Sequence, residues 1–478
     1  MTALPNDGLI VVAKRDCPTC ELVEPLLQTL ADSGPVQIYS QDDPGFAAGV
    51  PGATHDASLE VSFHLNIEFV PTLIRRANGQ EVERTYGWHR EDWQRISGVP
   101  GLGEELPAMR PGCGSKTLEP GIAEDLELRF GSTRLSARQI TTGDAEDPME
   151  ACFERGWSDG LPVVPPTPER VLRMLRGTDR RPDEELGLIP PDLSPCTLEK
   201  VAINAVMAGC KPEYMPVVLA SLDAALTEEF GLHGILCTTM FAGPMIIVNG
   251  PVARAIGMNS GANALGQGNR ANATIGRALQ LIVRNVGGGR PGEIDRATLG
   301  TPGKYTFCFA EAEDSDWLPL AQERGIREGA SAVTLFAGEG VQGIVDQKSR
   351  DPESLARSFA LSLRAVDHYK MGMAGDAVLV VSPEHSRVFI EAGWPKARLL
   401  QELETLLQFP GAEMVAGAGG IAEGVPASFA DKTVPKFRPG GLLIVRAGGT
   451  AGLFSAVIAG WAASGPVGSI PVTKEVMV

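Results

Sequence analysis

The chain has 478 residues, 43% of them hydrophobic, and a net charge of −17. This composition excludes a disordered chain, a coiled coil and a collagen-like fibre, and the length predicts two or three domains. The first 110 residues and the remainder are both acidic, so we expect no nucleic-acid partner.

The sequence also predicts a cytoplasmic protein. Its first residues lack the basic segment and long apolar run of a signal peptide, and no uninterrupted apolar stretch reaches membrane-spanning length, so we expect no membrane partner. The eight cysteines are then expected to be thiols rather than structural disulfides.

The first hundred residues predict alternating strands and helices around a cysteine pair. A buried strand over 8–13 leads into Cys17-Pro18-Thr19-Cys20 and a helical stretch that reaches Leu30. The elements predicted after it are strands over 36–39 and 69–74, a hairpin turn at Asn78-Gly79 and a helix over 90–96.

This pattern resembles the thioredoxin-like superfamily over residues 7–100. The resemblance rests on the CxxC pair Cys17 and Cys20, on Pro71 at the place of the family's cis-proline, and on the hairpin at Asn78-Gly79. The CPTC sequence departs from the CGPC of thioredoxin, and no tryptophan precedes it. The resemblance implies a redox-active disulfide as the only cofactor and an external thiol or disulfide reductase as a partner.

Helix chemistry assigns different roles to the two cysteines. A cysteine at a helix N-terminus faces unpaired N–H groups and the positive end of the helix dipole, which stabilise a thiolate. Cys17 is therefore the predicted nucleophile, and Cys20 is the thiol that resolves a mixed disulfide. Half of a zinc site and an inactive relic are the alternatives; no second CxxC or CxxH pair supports zinc, and we expect no metal.

The segment after this domain predicts a linker. Residues 101–125 are rich in glycine and proline without a regular period, so the expected domains are 1–100 and 126–478. Within the linker, Cys113 is flanked by glycines, where a tethered CxxC domain could reach it. The alternative is a thiol without a role.

The remainder, 126–478, predicts a larger α/β domain with a mostly parallel sheet, which could contain two subdomains. The predicted strands are 243–248, 331–336, 376–381 and 441–445, and the predicted helices are 147–155, 197–228 (a pair broken near 211–212), 269–286, 353–366, 396–407 and 451–461.

Two loops of this domain predict anion binding at the start of a helix. The first, 259–272, is rich in glycine and amides, and Asn269, Arg270 and Asn272 are its candidate substrate-binding residues. The second is Gly448-Gly449-Thr450, which follows the last predicted strand. Tight packing turns are the alternative for both loops.

A third loop, 287–304, combines many glycines with charged side chains, which is typical of a functional loop, although a solvated connection is the alternative. Its candidate groups are the acid–base residues Glu293, Asp295 and Lys304 and the substrate-binding residues Gly288, Gly289, Arg290 and Arg296. Cys308 follows and is either a core thiol or a second thiol at the site.

The large domain also resembles a group of uncharacterised bacterial proteins. The shared sequences are GWSDGLPVVPPT, GQGNRANATIGRA and NVGGGRPGE, at 156–167, 266–278 and 285–293. Such proteins accompany small (seleno)proteins with a UGSC motif, which makes a protein of that type a candidate partner and fits thiol or selenol chemistry.

These patterns together predict a thiol-dependent oxidoreductase. The CxxC domain is expected to deliver reducing equivalents, through Cys113 or Cys308, to a large domain that acts on a small anionic substrate. The alternatives are a lyase or hydrolase with a regulatory thioredoxin-like domain, and a non-catalytic thiol carrier or assembly factor.

Overall fold

The computed structural model describes residues 4–143, 145–461 and 468–477. The chain divides into two units, Met1–Arg134 and Leu135–Val478. The segment 101–125, expected to be a linker, instead belongs to the first unit, because its backbone pairs with strands from earlier in the chain. Glycine and proline mark this segment as irregular, and that composition does not distinguish a free linker from a closely packed loop.

The first unit is built around a sheet that combines parallel and antiparallel strands. Its strands are β1 (Gly8–Ala13), β2 (Val36–Ser40), β3 (Ala53–His55), β4 (Phe69–Val70), β5 (Thr72–Ala77), β6 (Gln80–Tyr86), β7 (Trp88–His89), β8 (Met109–Arg110) and β9 (Cys113–Gly114). Its helices are α1 (Pro18–Ser33), α2 (Glu60–His64), α3 (Arg90–Ser97) and α4 (Ile122–Phe130), with a 3₁₀ turn at Lys116–Leu118.

Five of these strands form one sheet in the order β3-β2-β1-β5-β6. β1 pairs in parallel with β2 and β2 with β3, while β5 lies antiparallel to both β1 and β6. The predicted strand 69–74 is divided between β4 and β5 at Pro71, because a proline has no N–H to donate to a strand ladder. β1 is buried almost throughout, which places the start of α1 at one end of a packed strand.

The second unit contains a larger sheet and most of the helices. Its strands are β10 (Glu185–Ile189), β11 (Ser194–Thr197), β12 (Gly243–Asn249), β13 (Cys308–Ala310), β14 (Ala332–Val345), β15 (Gly375–Val381), β16 (Gln408–Pro410), β17 (Thr433–Pro435), β18 (Phe437–Arg446), β19 (Phe454–Gly460) and β20 (Val472–Glu475).

The helices of the second unit are numbered in chain order. They are α5 (Pro148–Glu154), α6 (Pro168–Leu175), α7 (Leu198–Ala208), α8 (Met215–Ala225), α9 (Leu232–Cys237), α10 (Pro251–Ala255), α11 (Arg270–Asn285), α12 (Leu320–Glu323), α13 (Pro352–Arg364), α14 (Pro383–Glu391), α15 (Lys396–Leu406) and α16 (Gly411–Met414), with 3₁₀ turns at Pro212–Tyr214, Pro302–Lys304, Ala418–Gly420 and Ala427–Phe429.

The large sheet is mixed, which corrects the expectation of a mostly parallel one. Its order is β13-β12-β14-β19-β15-β18, and β20 also pairs with β14. Among the described residues of this sheet, the parallel pairs are β12–β13 and β15–β18, whereas β14 and β19 run antiparallel to the strands with which they pair. Each parallel pair is joined by helices, as in a βαβ unit, but the alternation of strands and helices in the sequence does not specify which strands are inserted between the paired ones.

One inserted strand, β19, lies where a helix over 451–461 was expected. The run Ser455–Gly460 is apolar and small, and a short run of this kind fits a buried helix or a buried strand equally well. The structure places β19 between β14 and β15, where neighbouring strands satisfy the backbone groups on both sides. The helix prediction is therefore wrong.

Both faces of the large sheet are covered by apolar side chains. Along β15, Leu379 belongs to one buried cluster, while Val378 and Val380 belong to a different one. This alternation is what a strand produces when it is packed on both sides. The helix α11, whose polar face is described below, packs against β12 and β13.

Candidate functional site

The first candidate site begins at the N-terminus of α1. Cys17 is the N-cap residue of this helix, and its Sγ accepts a hydrogen bond from the backbone N–H of Cys20 at 3.4 Å. Pro18 occupies the first helical position, where no N–H is needed. The cysteine sulfur thus faces the positive end of the helix dipole, which favours its thiolate form.

A third cysteine lies against this pair. β9 pairs antiparallel with β4, which sets Cys113 opposite Val70, the residue before the cis peptide bond to Pro71. The Sγ atoms of Cys113 and Cys17 are 2.8 Å apart, and the Cys17 Sγ is 3.6 Å from the carbonyl oxygen of Val70. Cys17, Cys20 and Cys113 form what we call the three-thiol centre, with Pro71 beside it.

Hydrogen bonding and burial together give the three thiols different pKa values. The Cys20 thiol, the Cys113 thiol and the backbone N–H of Cys20 stabilise the Cys17 thiolate and lower its pKa to about 5, against the opposing effect of burial. Burial raises the pKa of Cys20 far above its ordinary range, and it also raises the pKa of Cys113. At neutral pH the centre therefore contains one thiolate and two thiols that donate to it.

The segment that carries Cys113 is held in place on both sides. Pro111 accepts a hydrogen bond at 2.7 Å from the hydroxyl of Thr19 in α1. Gly112 lies so close to the chain that a Cβ there would be 2.7 Å from the carbonyl oxygen of Val70 and 3.2 Å from the Cα of Gly87. Cys113 is thus fixed beside Cys17 by backbone pairing and by close packing at a glycine.

In the second unit, α11 contacts the segment 156–167. Arg277 forms a bidentate ion pair with Asp159, with N–O distances of 2.8 and 2.7 Å, and it also donates to the carbonyl oxygens of Leu161 and Pro162. At the end of the helix, Asn285 donates to the carbonyl oxygen of Trp157. α11 therefore holds the segment 156–167 against its polar face.

The loop 287–304 and α11 enclose a cavity of about 470 Å³. Gln280 and Arg284 line it from the helix, and Asp295 and Lys304 line it from the loop. The Nζ of Lys304 is 2.7 Å from a carboxylate oxygen of Asp295, and both side chains are largely buried. Two of the predicted acid–base residues therefore meet in one place.

Not every residue predicted on this loop lines the cavity. Glu293 and Arg296 are exposed and absent from the cavity wall. Gly289 lines the wall, Gly288 packs against Asp192, and Arg290 has a buried Nε without a hydrogen-bond partner among the described residues. Neither Arg290 nor Arg296 is among the residues that line the cavity, so the predicted pair of arginines does not form a clamp there.

Cys308 is a core thiol rather than a group at the site. It lies in β13 with 6% of its surface exposed, and its Cβ would be 3.2 Å from a Cβ added to Gly276 of α11. Burial raises its pKa well above the ordinary range of a thiol, which opposes a role as an acceptor. Strand alternation correctly placed it on the face opposite Phe307 and Phe309, which belong to the same apolar cluster.

The two other predicted loops contact each other. Gly448 donates from its backbone N–H to the carbonyl oxygen of Ser260 at 2.9 Å, and Gly449 packs against Ala262. Thr450 is exposed.

The polar residues at the start of α11 are engaged in structural hydrogen bonds. Asn269 caps the helix, Asn272 bonds to both the N–H and the carbonyl of Asn259, and Arg270 donates to Gly209. These side chains therefore hold the loop together, as the packing alternative predicts.

Sequence reasoning missed three residues of the second site: Asp159, Gln280 and Arg284. A signal was available, because Arg277, Gln280 and Arg284 follow the spacing of one helical face, opposite the apolar face of α11.

The second unit also contains a more apolar cavity of about 630 Å³, whose wall includes Trp157, Met207 and Asn285.

Comparison with known proteins found no match to this chain among family models, curated proteins or solved structures. Over residues 4–143, 145–461 and 468–477, no helix is long and apolar enough to cross a membrane. In the same ranges no three histidine, cysteine, aspartate or glutamate side chains are grouped so that they could hold a metal ion.

Proposed function

We propose that the chain is a thiol-dependent oxidoreductase whose first unit is a thioredoxin-like domain with Cys17 as nucleophile. The observation that carries this proposal is the 2.8 Å separation of the Cys17 and Cys113 sulfurs. A thiolate with a pKa of about 5 in contact with a second sulfur is placed for thiol–disulfide exchange. The CxxC at a helix N-terminus, with the Cys17 sulfur 3.6 Å from the carbonyl oxygen of Val70, further supports the thioredoxin-like assignment.

The exchange proceeds in three balanced steps. The Cys17 thiolate attacks a disulfide substrate RSSR, the mixed disulfide Cys17–S–S–R forms, and RS⁻ leaves and takes up a proton. The Cys113 thiol then loses its proton and attacks the Cys17 sulfur, the Cys17–Cys113 disulfide forms, and the second RS⁻ leaves with that proton as RSH. The Cys20 thiol then loses its proton and attacks Cys17, giving the Cys17–Cys20 disulfide and a free Cys113 thiol, and an external dithiol restores the reduced state.

In this proposal the second unit binds the small anionic substrate of the reaction. The covalent connection keeps the thiol donor at an effective concentration of about millimolar relative to the second unit. Support comes from the cavity beside α11, which Asp159, Asp295, Arg284 and Lys304 line. Asp295 is paired with Lys304, whereas Arg284 has no carboxylate hydrogen-bonded to it among the described residues. The ion pair between Arg277 of α11 and Asp159 also supports this proposal. It brings together two of the sequences that resemble the bacterial proteins, as expected if they share one ligand site.

The test is a redox titration of the full chain. Equilibration in buffers of reduced and oxidised dithiothreitol, followed by alkylation and mass spectrometry, is expected to show a Cys17–Cys20 disulfide that forms reversibly. Reduction of a low-molecular-weight disulfide with a dithiol as sole reductant is expected to be lost in Cys17→Ser and retained in the matched variant Cys237→Ser, whose thiol is exposed in the second unit. The absence of the disulfide, or equal turnover by Cys17→Ser, would refute the proposal.

The second candidate function is a lyase or hydrolase, and the ion pair in the cavity favours it. Asp295 and Lys304 are 2.7 Å apart in the cavity wall, where they could transfer protons to or from a ligand. Glu293, the third residue proposed for this role, is exposed and does not line the cavity. Turnover of a substrate without any reductant would favour this function over the oxidoreductase.

A further inference from the structure

The cavity beside α11 contains hydrogen-bond donors that nothing in the described chain satisfies. Arg277, Gln280 and Arg284 share one face of the helix, and within the described ranges Arg277 is the one that has a carboxylate partner, Asp159. The Nε2 of Gln280 and the Nε of Arg284 are buried without a hydrogen-bond partner among the described residues. Buried donors of this kind are costly unless a partner is bound, so their place in a cavity wall points to a ligand.

The charges around these donors indicate the sign of that ligand. Arg284 lies near Arg290, whose Nε is also buried and without a partner in the described ranges. Burial and the charge of Arg290 lower the pKa of Arg284, while Asp159 and Glu293 act in the opposite direction. Asp159 is already paired with Arg277, and Glu293 is exposed. A bound anion would relieve the repulsion between the two arginines.

The ion pair in the cavity wall, between Asp295 and Lys304, does not neutralise the charge of Arg284. Asp295 accepts from Lys304 at 2.7 Å and from the backbone N–H of Ala297 at 3.2 Å. Both donors to the Asp295 carboxylate therefore belong to the same loop as Asp295, and neither is Arg284. Of the charged side chains that line the cavity, Arg284 is the cation without a carboxylate hydrogen-bonded to it among the described residues.

We infer that this cavity binds a small organic oxyanion, a carboxylate or a phosphate ester, whose oxygen atoms accept from Arg284 and Gln280. A guanidinium and an amide N–H₂ are donors that suit such a group. The inference rests on the proposed function only in taking the ligand of the second unit as anionic, and it names the residues and the chemical class.

Size and lining restrict the rest of the ligand. A volume of about 470 Å³ is in the range of sites for metabolite-sized molecules. Leu236, Val283, Leu299 and Pro302 contribute apolar surface, and Tyr305 contributes an aromatic ring. The site therefore suits a compact molecule with one anionic end and a carbon body, rather than a free inorganic ion.

The experiment is isothermal titration calorimetry of the reduced full-length chain. The probes are butyrate and glycerol 3-phosphate, with sodium chloride at matched ionic strength as the blank. Saturable binding of one probe is expected, and which probe binds distinguishes a carboxylate from a phosphate site. In Arg284→Gln the dissociation constant is expected to rise by about tenfold or more, as for loss of a charged hydrogen bond.

Two further variants complete the test. Arg254→Gln changes an exposed arginine of the same unit and is expected to bind as the unmodified chain does. Gln280→Leu removes the second donor without changing charge, and it replaces Arg284→Gln if circular dichroism shows that the latter is unfolded. The inference is overturned if neither probe binds, or if the variants of Arg284 and Gln280 bind like the unmodified chain. Binding needs no turnover, so failure of the thiol chemistry would leave this result unaffected.

Discussion

The sulfur of Cys17 is 2.8 Å from the sulfur of Cys113, a residue 96 positions later in the chain. The contact depends on the antiparallel pairing of β9 with β4, which carries Cys113 past the residue before Pro71. Cys17 therefore has two sulfur neighbours: Cys20 in its own helix and Cys113 in a segment that folds back onto it.

Replacing Cys20 with serine is expected to direct oxidation to Cys113. Without the resolving thiol, Cys17 forms a disulfide with the nearest remaining sulfur when one equivalent of oxidised dithiothreitol is added. Peptide mapping by mass spectrometry is expected to recover the Cys17–Cys113 peptide pair as the main product. The double variant Cys20→Ser/Cys113→Ser is the control, in which this pair is impossible. A main product that joins Cys17 to another cysteine would contradict the prediction.

The acidity of Cys17 predicts a distinctive pH profile for alkylation. Only the thiolate reacts with iodoacetamide, so a pKa of about 5 predicts a rate that is constant near neutral pH and falls about tenfold per pH unit below the pKa. Cys113→Ala removes one hydrogen bond to the thiolate and is expected to shift the profile to higher pH. Cys113→Ser retains a hydroxyl donor and is expected to shift it less. A midpoint near the ordinary thiol value of about 8.5 would be inconsistent with this centre.

The close packing at Gly112 predicts that a single methyl group displaces Cys113. In Gly112→Ala the new Cβ would be 2.7 Å from the carbonyl oxygen of Val70, so the segment must move away from β4. The yield of the Cys17–Cys113 disulfide in the Cys20→Ser background is expected to fall several-fold. Gly114→Ala is the matched control, because a Cβ there would have no atom within 4 Å. Equal yields in the two variants would show that this packing does not hold Cys113 in place.

Removing one member of the cavity ion pair is expected to destabilise the second unit. In Lys304→Met the Asp295 carboxylate, which is 9% exposed, retains the N–H of Ala297 as its donor among the described residues, and the free energy of unfolding is expected to fall by about 2 kcal/mol. Arg327→Gln breaks an exposed pair with Glu475 and is expected to cost less than about 1 kcal/mol. Urea unfolding followed by circular dichroism measures both, and a loss no greater in Lys304→Met would contradict the burial argument.

Local chemistry explains which elements the sequence predicts well. β12, β15 and β18 are apolar runs of strand length, and α11 has a clear apolar face, so each is found where the pattern places it. β19 is different, because its small apolar residues fit either secondary structure, and the choice is made by the open edges of β14 and β15. Strand direction in the large sheet depends on that same choice.

Some residues of the candidate sites could be predicted from the sequence, and others could not. The roles of Cys17 and Cys20 follow from their place at a helix N-terminus, which the sequence indicates directly. The position of Cys113 depends on a pairing between β4 and β9, and a glycine-rich sequence gives no sign of that pairing. Likewise, Arg284 and Gln280 become recognisable only when the loop 287–304 closes over α11 and leaves their donors without partners.

The pairing of β9 with β4 also determines how the first unit responds to dilution. Because Cys113 belongs to the same molecule as Cys17, the rate of exchange between them is first-order and independent of protein concentration. A disulfide on a separate protein must compete with a neighbour that never diffuses away, and its success scales with its own concentration. The backbone of Val70 in β4 is already paired with Cys113 in β9. A competing protein must therefore separate β9 from β4 before its own backbone can pair with β4.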